Sequence, residues 1–209
     1  MDAPLLQIKD VKKYFPVKKV RGGEDIAVKA VDSIDLTINS GEIVGLVGES
    51  GCGKSTLGKS ILKLYDITEG QILFHGEDIT NYTEKQMHPL REKIQIIFQD
   101  PYASLNPKKK IVQSVMAPLN ATKKYTKEEK LQKVIAILNE VGLDEKYLEK
   151  YPHEMSGGQR QRVVIARALI NDPELVVCDE PVSALDVSVR SPVLNLLKDL
   201  QNSRNLTYI

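Results

Sequence analysis

Three glycines, a lysine and a hydroxyl are gathered into one short stretch of this 209-residue chain. Residues 48–55, GESGCGKS, follow the spacing G-x-x-x-x-G-K-[ST]. Gly48, Gly51 and Gly53 let the backbone fold closely round a phosphate chain, with the N–H groups of the loop, including those of Glu49, Ser50 and Cys52, turned toward it. In such a loop Lys54 reaches the β and γ phosphates and the Ser55 hydroxyl holds Mg2+. Thr56 follows in the first turn of a helix whose positive dipole end also favours an anion. A second group of chemical residues ends the apolar run LVVCDE, residues 175–180. Asp179 is placed to help hold the Mg2+ shell, and Glu180 to polarise an attacking water as general base. Standing alone, these two acids would serve equally well as caps of the next turn; the phosphate loop tips the reading toward chemistry.

These residues need elements to hold them. Residues 5–11 alternate loosely and read as a strand, followed by a Pro- and Gly-containing loop over 16–25 and a second strand over 28–38. Asn39 to Gly41 is turn chemistry, and residues 42–47 (EIVGLV) predict a short buried parallel strand running into the phosphate loop. Leu57, Ile61, Leu62 and Tyr65 have helical spacing, predicting a helix over 54–65. Strands are predicted over 71–74 and 94–98. From Pro101 to Met155 the texture changes to lysine-rich helix formers broken at Asn106-Pro107, Gly142 and Pro152, which predicts a separate helical lobe. A helix over 159–170, a buried strand over 175–178, a helix over 187–203 and the start of a strand over 206–209 complete the chain. Strand alternates with helix, so the class is α/β with a mainly parallel sheet.

Composition narrows the function. With 42% hydrophobic and 27% charged residues the chain is an ordinary globular one, not a collagen-like repeat, a disulfide scaffold or a long disordered tract. Its length, against about 150 residues for a typical domain, fits one compact unit carrying an insertion. Twenty-nine basic residues face 28 acidic ones, a balance that disfavours nucleic acid as a partner. Cys52 and Cys178 have no metal-ligand spacing and form no disulfide framework, which fits a reducing compartment. No signal peptide or transmembrane helix is expected, since no basic start leads into an apolar run and no apolar segment reaches about 18 residues.

The segment SGGQRQR, residues 156–162, stands just ahead of a helix. Together with the phosphate loop, the glutamine of IIFQDP (Gln99) and the SALD of residues 183–186, in that order, it makes essentially the whole chain resemble the nucleotide-binding domain of an ABC transporter. The resemblance implies a single α/β domain over 1–209. Its parts are a P-loop NTPase (RecA-like) core over 1–100 and 159–209, an antiparallel β subdomain at the N-terminal side, and an inserted α-helical subdomain over 101–158. It implies ATP and Mg2+ as ligands, two such domains sandwiching two ATP molecules, and ATP hydrolysis. Ser156, Gly157, Gly158 and Gln159 would contact the γ phosphate of ATP held by the opposite subunit. A hydroxyl, two glycines and a helix N-terminus suit that role, and an ordinary helix cap at Ser156 is compatible with it. Gln99 resembles the family's Q-loop glutamine, which senses Mg2+ or the attacking water and links the core to the helical lobe. Ser183, Ala184, Leu185 and Asp186 form its D-loop. Phe15, with Tyr14 beside it, falls where the family stacks an aromatic ring on adenine, a contact worth about 1–3 kcal/mol. Either ring could take the role; position along the strand favours Phe15.

QDPYASLNP (99–107) and YPHEMSGGQRQR (151–162) are similar to the oligopeptide and dipeptide permease branch, in particular to its F-type ATPase subunit; the branch also contains nickel importers. Met155 replaces the usual leucine before the signature serine, a volume-conserving change. The implied partners are a second and different nucleotide-binding subunit, two transmembrane permease subunits and an extracellular or periplasmic solute-binding protein. The implied location is peripheral, at the cytoplasmic face of the membrane.

The chain departs from its family in two places. A histidine that contacts the γ phosphate is expected after the last strand, but His75, His88 and His153 lie elsewhere, and the sequence stops at Ile209, so it reads as truncated, without the tail that follows the core in permease subunits. Pro192 would kink the helix after Asp186 if that helix starts at Val187, and would do so little if Ser188 is the cap. The lysine groups Lys18-Lys19, Lys108 to Lys110 and Lys123-Lys124 read as solvated faces, with a weak attraction to anionic lipid as the alternative. Cys52 is expected to be alkylated and protected by Mg-ATP, and Cys178 to be buried and inert. The rival functions are an importer ATPase for nickel or another small solute, a non-transport ABC ATPase, which would need coiled-coil arms or tandem cassettes, and a nucleotide-binding module with little turnover.

Overall fold

The computed structural model describes residues 3–17, 26–122 and 124–209. Most of the loop over 16–25, with Lys18 and Lys19, and also Lys123, lie outside these described residues. The chain divides into two compact units, residues 1–90 with Ile209, and residues 91–208.

The first unit holds β1 (Leu6–Pro16), β2 (Ala27–Ile38), α1 (Lys54–Ile61), β3 (Glu69–Phe74), β4 (Glu77–Asp78) and α2 (Glu84–Met87). Its strands make an antiparallel sheet in the order β2-β1-β3-β4. Leu6 and Ile8 alternate into the core, and a register shift at Asp10, which takes φ 45°, brings Val11 onto the same face; all three are buried. Ile38, Ile72 and Phe74 from the neighbouring strands and Leu57 and Ile61 from α1 are buried as well.

Two expectations fail in this unit. Residues 42–47 do not form the buried parallel strand: only an isolated bridge at Ile43 is present, and Ile43 and Val47 are 58% and 98% exposed. Strand propensity records how well a side chain fits a pleated, half-buried surface, and without a ladder beside it a β-branched run forms no strand. Helix α1 stops at Ile61 and not at Tyr65. Lys63 turns to φ 53° and sends its buried ammonium to the Asp66 carboxylate (2.7 Å) and the Thr80 carbonyl (2.5 Å), and this left-handed residue breaks the helical path.

The second unit begins with α3 (Leu90–Lys93), which crosses its boundary, and β5 (Ile94–Ile97). It continues through α4 (Pro101–Ser104), α5 (Ile111–Ala121), α6 (Lys127–Glu140), α7 (Gly157–Leu169), β6 (Leu175–Cys178), α8 (Val187–Arg204) and β7 (Thr207–Tyr208). The strands form a parallel sheet in the order β5-β6-β7. Helix α7 is buried on most of its circumference, and Val163, Val164, Ile165, Ala166 and Leu169 all lie in one core with Val115 and Leu119 of α5 and Val134, Ile137 and Leu138 of α6. Thr126 caps α6 in a reciprocal box with Glu129. Arg204, at the end of α8, forks to Glu140 and to Asp172 (2.6 Å) and ties α8 to the helical stretch. Helix α8 starts at Val187, so Pro192 lies beyond its first turn, and the helix continues through it to Arg204. None of the helices among the described residues is long and apolar enough to cross a membrane.

Candidate functional site

In the first unit the loop from Gly48 to Cys52 is exposed and leads directly into α1. Gly53 is the N-cap of α1 at φ 100°, and a Cβ there would sit 1.9 Å from the Ala30 carbonyl oxygen, so both the conformation and the space demand glycine. A glycine cap brings no side chain to bond the first-turn N–H groups, which leaves that end of the helix without a built-in anion. The Lys54 ammonium folds back over the loop, donating to the carbonyls of Gly48 (2.7 Å) and Glu49 (2.8 Å) and lying 3.7 Å from Cys52 Sγ. A cation is thereby held over an exposed loop at a helix N-terminus, and these residues fit a polyphosphate and its Mg2+. Phe15 lies on β1, opposite Val28, edge-on to Tyr65 at 5.6 Å and with the Lys13 ammonium 4.8 Å from its ring centre. The Tyr14 hydroxyl is bonded to the Asp32 carboxylate and the Lys29 ammonium lies 5.2 Å from its ring centre, so both neighbouring rings have partners.

In the second unit, β5 and β6 end side by side, and the ladder runs on through the Asp179 N–H to the Ile97 carbonyl (2.9 Å). This parallel register carries Gln99 and Glu180 beyond the strand ends, where Gln99 Nε2 donates to Glu180 Oε2 at 2.9 Å. Glu180 takes φ 48°, an unusual conformation for a residue with a side chain. Its carbonyl accepts from both the N–H and the hydroxyl of Ser183 at 3.1 Å, so the turn carrying the carboxylate is fixed by the first residue of SALD. Arg190, on α8, donates Nε to the Leu185 carbonyl (3.0 Å) and Nη2 to that of Ser183 (3.4 Å), holding the rest of the turn.

Ser156 caps α7. Its Oγ accepts from the Gln159 N–H (3.3 Å), and the Gln159 side-chain oxygen accepts from the Ser156 N–H (3.0 Å). The Gln159 amide nitrogen donates to the Tyr147 hydroxyl at 2.9 Å. Gly157 and Gly158 face the SALD turn and the start of α8: added Cβ atoms would lie 3.6 Å from Leu185 and 2.4 Å from Val189. Arg160, 8% exposed, donates Nε (2.9 Å) and Nη2 (2.5 Å) to the Met155 carbonyl, and its guanidinium lies 3.7 Å from the centre of the Tyr102 ring. Cys178, at the end of β6, is half-buried and not fully buried as expected, and the desolvation it meets there pushes its thiol pKa up to about 12. His75, His88 and His153 are all exposed.

Of the residues picked out by sequence, Gln99 meets Glu180, and the signature turn meets SALD. Tyr147, Arg160 and Arg190 were missed; Arg160 stacks on Tyr102, remote in sequence, while Tyr147 and Arg190 meet nearer partners, and only the repeated QRQR pattern marked one of them.

Residues 31–183 match the family described as ABC transporter. The oligopeptide transport ATP-binding protein AppF of Bacillus subtilis (strain 168) is 50% identical over 98% of this chain and 63% of its own length. The dipeptide transport ATP-binding protein DppF of Escherichia coli (strain K12) is 45% identical over 100% of this chain and 63% of its own. The chain thus spans less than two thirds of the length of these two relatives. Among solved structures, the dimeric post-hydrolysis state of the ATP-binding cassette MJ0796 bound to ADP and Pi gives a TM-score of 0.84 at 29% identity, covering 97% of this chain and 85% of that one. CbiO1 of Clostridium perfringens, part of the ABC transporter complex cbiONQ, gives 0.82 at 29% identity over 100% and 78%. The fold is that of these cassettes, an α/β P-loop NTPase, and the chain belongs to the ABC transporter family.

Proposed function

We propose that this chain is the ATP-binding and ATP-hydrolysing part of an importer for oligopeptides or dipeptides, working as a pair of cassettes against two permease subunits at the cytoplasmic face of the membrane. The observation that carries the hydrolytic part is the Gln99–Glu180 hydrogen bond at the ends of two parallel strands. In this reading the loop of Gly48, Glu49, Ser50, Gly51, Cys52 and Gly53, with Lys54, Ser55 and Thr56, binds the phosphates, and Phe15 stacks on adenine. Ser55, Gln99 and Asp179 would hold Mg2+, which neutralises phosphate charge when bound. Glu180 takes a proton from the attacking water as its oxygen bonds to the γ phosphorus and the bond to the β–γ bridging oxygen breaks. Ser156, Gly157, Gly158 and Gln159 complete the site of the partner cassette, and Ser183, Ala184, Leu185 and Asp186 line the junction. Residues 101–158 serve as a helical subdomain within one cassette. A different cassette subunit and a solute-binding protein are the remaining partners. The names of the two peptide-transport relatives support the substrate class, and their identity over nearly the whole of this chain supports carrying it across.

The test is ATP turnover beside ATP binding, in the chain assembled with its permease. Glu180→Gln keeps an amide in place of the carboxylate, and its expected effect is a loss of about 10²–10⁴ in turnover with binding retained. Lys54→Ala should remove binding as well. Unchanged turnover in Glu180→Gln would refute the general-base role, and peptide-independent transport of another solute would refute the substrate class.

A further inference from the structure

Arg160 belongs to none of the roles above, yet it is buried and holds both a carbonyl and an aromatic ring. Its guanidinium faces two ways. The edge grips the carbonyl of Met155, the residue immediately before the capping Ser156, and the flat face lies on Tyr102. Tyr102 sits in α4, whose cap is Asp100: the Tyr102 N–H donates to Asp100 Oδ1 at 2.7 Å, and Asp100 follows Gln99 directly. Two turns further along α7, Arg167 donates to the Ser104 carbonyl at the other end of α4. The turn bearing Gln99 is therefore laid on the signature helix through two arginines, one of which also orients the peptide leading into Ser156.

We propose that Arg160 is a positioning residue that sets the main chain at Ser156 according to where the Gln99 turn lies, using the Tyr102 ring as its contact. This inference rests on the reading that Gln99 works at the chain's own ATP and Ser156 at the partner's, and it names the physical link between the two. A planar, delocalised cation is required, because a lysine ammonium can neither stack flat on the ring nor hold one carbonyl with two donors.

The experiment measures kcat, KM and ATP affinity in the assembled transporter for Arg160→Lys, Tyr102→Ala, Tyr102→Phe and the double variant Tyr102→Ala/Arg160→Lys. Arg160→Lys and Tyr102→Ala should each lower kcat about tenfold with ATP affinity unchanged. Tyr102→Phe, which keeps the ring, should retain the kcat of the unsubstituted protein. The double variant should fall no further than either single one, since both remove the same contact. Multiplied losses in the double variant, or full kcat in Tyr102→Ala, would overturn the proposal, as would a loss that appears in affinity and not in kcat. Absence of turnover in the unsubstituted assembly would instead refute the hydrolytic reading on which it rests.

Discussion

The tightest contact of the signature turn gives a prediction that can be worked from distances. Gly158 is buried in the first turn of α7, and a Cβ there would lie 2.4 Å from Val189 Cγ1, with Val189 Cβ at 3.7 Å and Cγ2 at 3.9 Å. Carbon atoms pack at about 3.5–4.0 Å, so Gly158→Ala requires a movement of about 1 Å. Val189 cannot rotate out of the way, because a β-branched side chain in a helix has one strongly preferred rotamer, and it lies in the first turn of α8. The backbone must shift instead, at about 1–3 kcal/mol, offset by up to about 1 kcal/mol of helix propensity gained by alanine. For a domain of this size each kcal/mol moves Tm by about 2–4 °C, so Gly158→Ala should lower Tm by up to about 12 °C. Val189→Ala removes two half-buried methyl groups and should lower it by about 2–4 °C. In Gly158→Ala/Val189→Ala the clashing Cγ1 is gone and only the 3.7 Å contact remains, which is ordinary packing. The double variant should therefore melt no lower than Val189→Ala alone. Thermal unfolding of the four proteins by circular dichroism measures this, and additive losses would refute the argument that the two helices meet through this glycine.

Gly53 also has a hard neighbour, since alanine there meets the Ala30 carbonyl and a left-handed backbone together; Gly53→Ala should destabilise by at least about 2 kcal/mol, read by urea unfolding. Gln161 is fully buried, and among the described residues neither of its amide atoms has a hydrogen-bond partner, so Gln161→Met should raise Tm by several degrees by removing an unpaired group worth about 1–3 kcal/mol. A fall in Tm would mean that the amide is satisfied by water. Alkylation with iodoacetamide at pH 8 should label exposed Cys52, more slowly with Mg-ATP, and spare Cys178. Because desolvation disfavours the Cys178 thiolate, its labelling should stay low up to about pH 9, and mass spectrometry of the peptides checks the assignment.

Features encoded by neighbours in sequence were legible in advance. Ser156 with Gln159 three residues later announces a capped helix, and α7 starts there; LVVC announces a buried strand, and β6 is one. The tight glycine turn ahead of α1 was legible for the same reason, since its glycines answer local demands such as φ 100° at Gly53. What depended on distant partners was not legible. Residues 42–47 have the composition of a strand but no ladder, and α1 ends early because Lys63 is drawn to Asp66 and Thr80. The Gln99–Glu180 bond joins residues 81 apart, and the stack of Arg160 on Tyr102 likewise depends on which helices pack together.

The left-handed backbone at Glu180 bears on how this protein could be engineered. Glutamate held at φ 48° carries about 1–2 kcal/mol that glycine would not, and asparagine tolerates the conformation better. A library randomised at position 180 and screened for heat resistance alone would enrich residues at ease in that conformation and discard the carboxylate. Stabilising campaigns on this fold should therefore hold position 180 fixed, or couple the thermal screen to turnover.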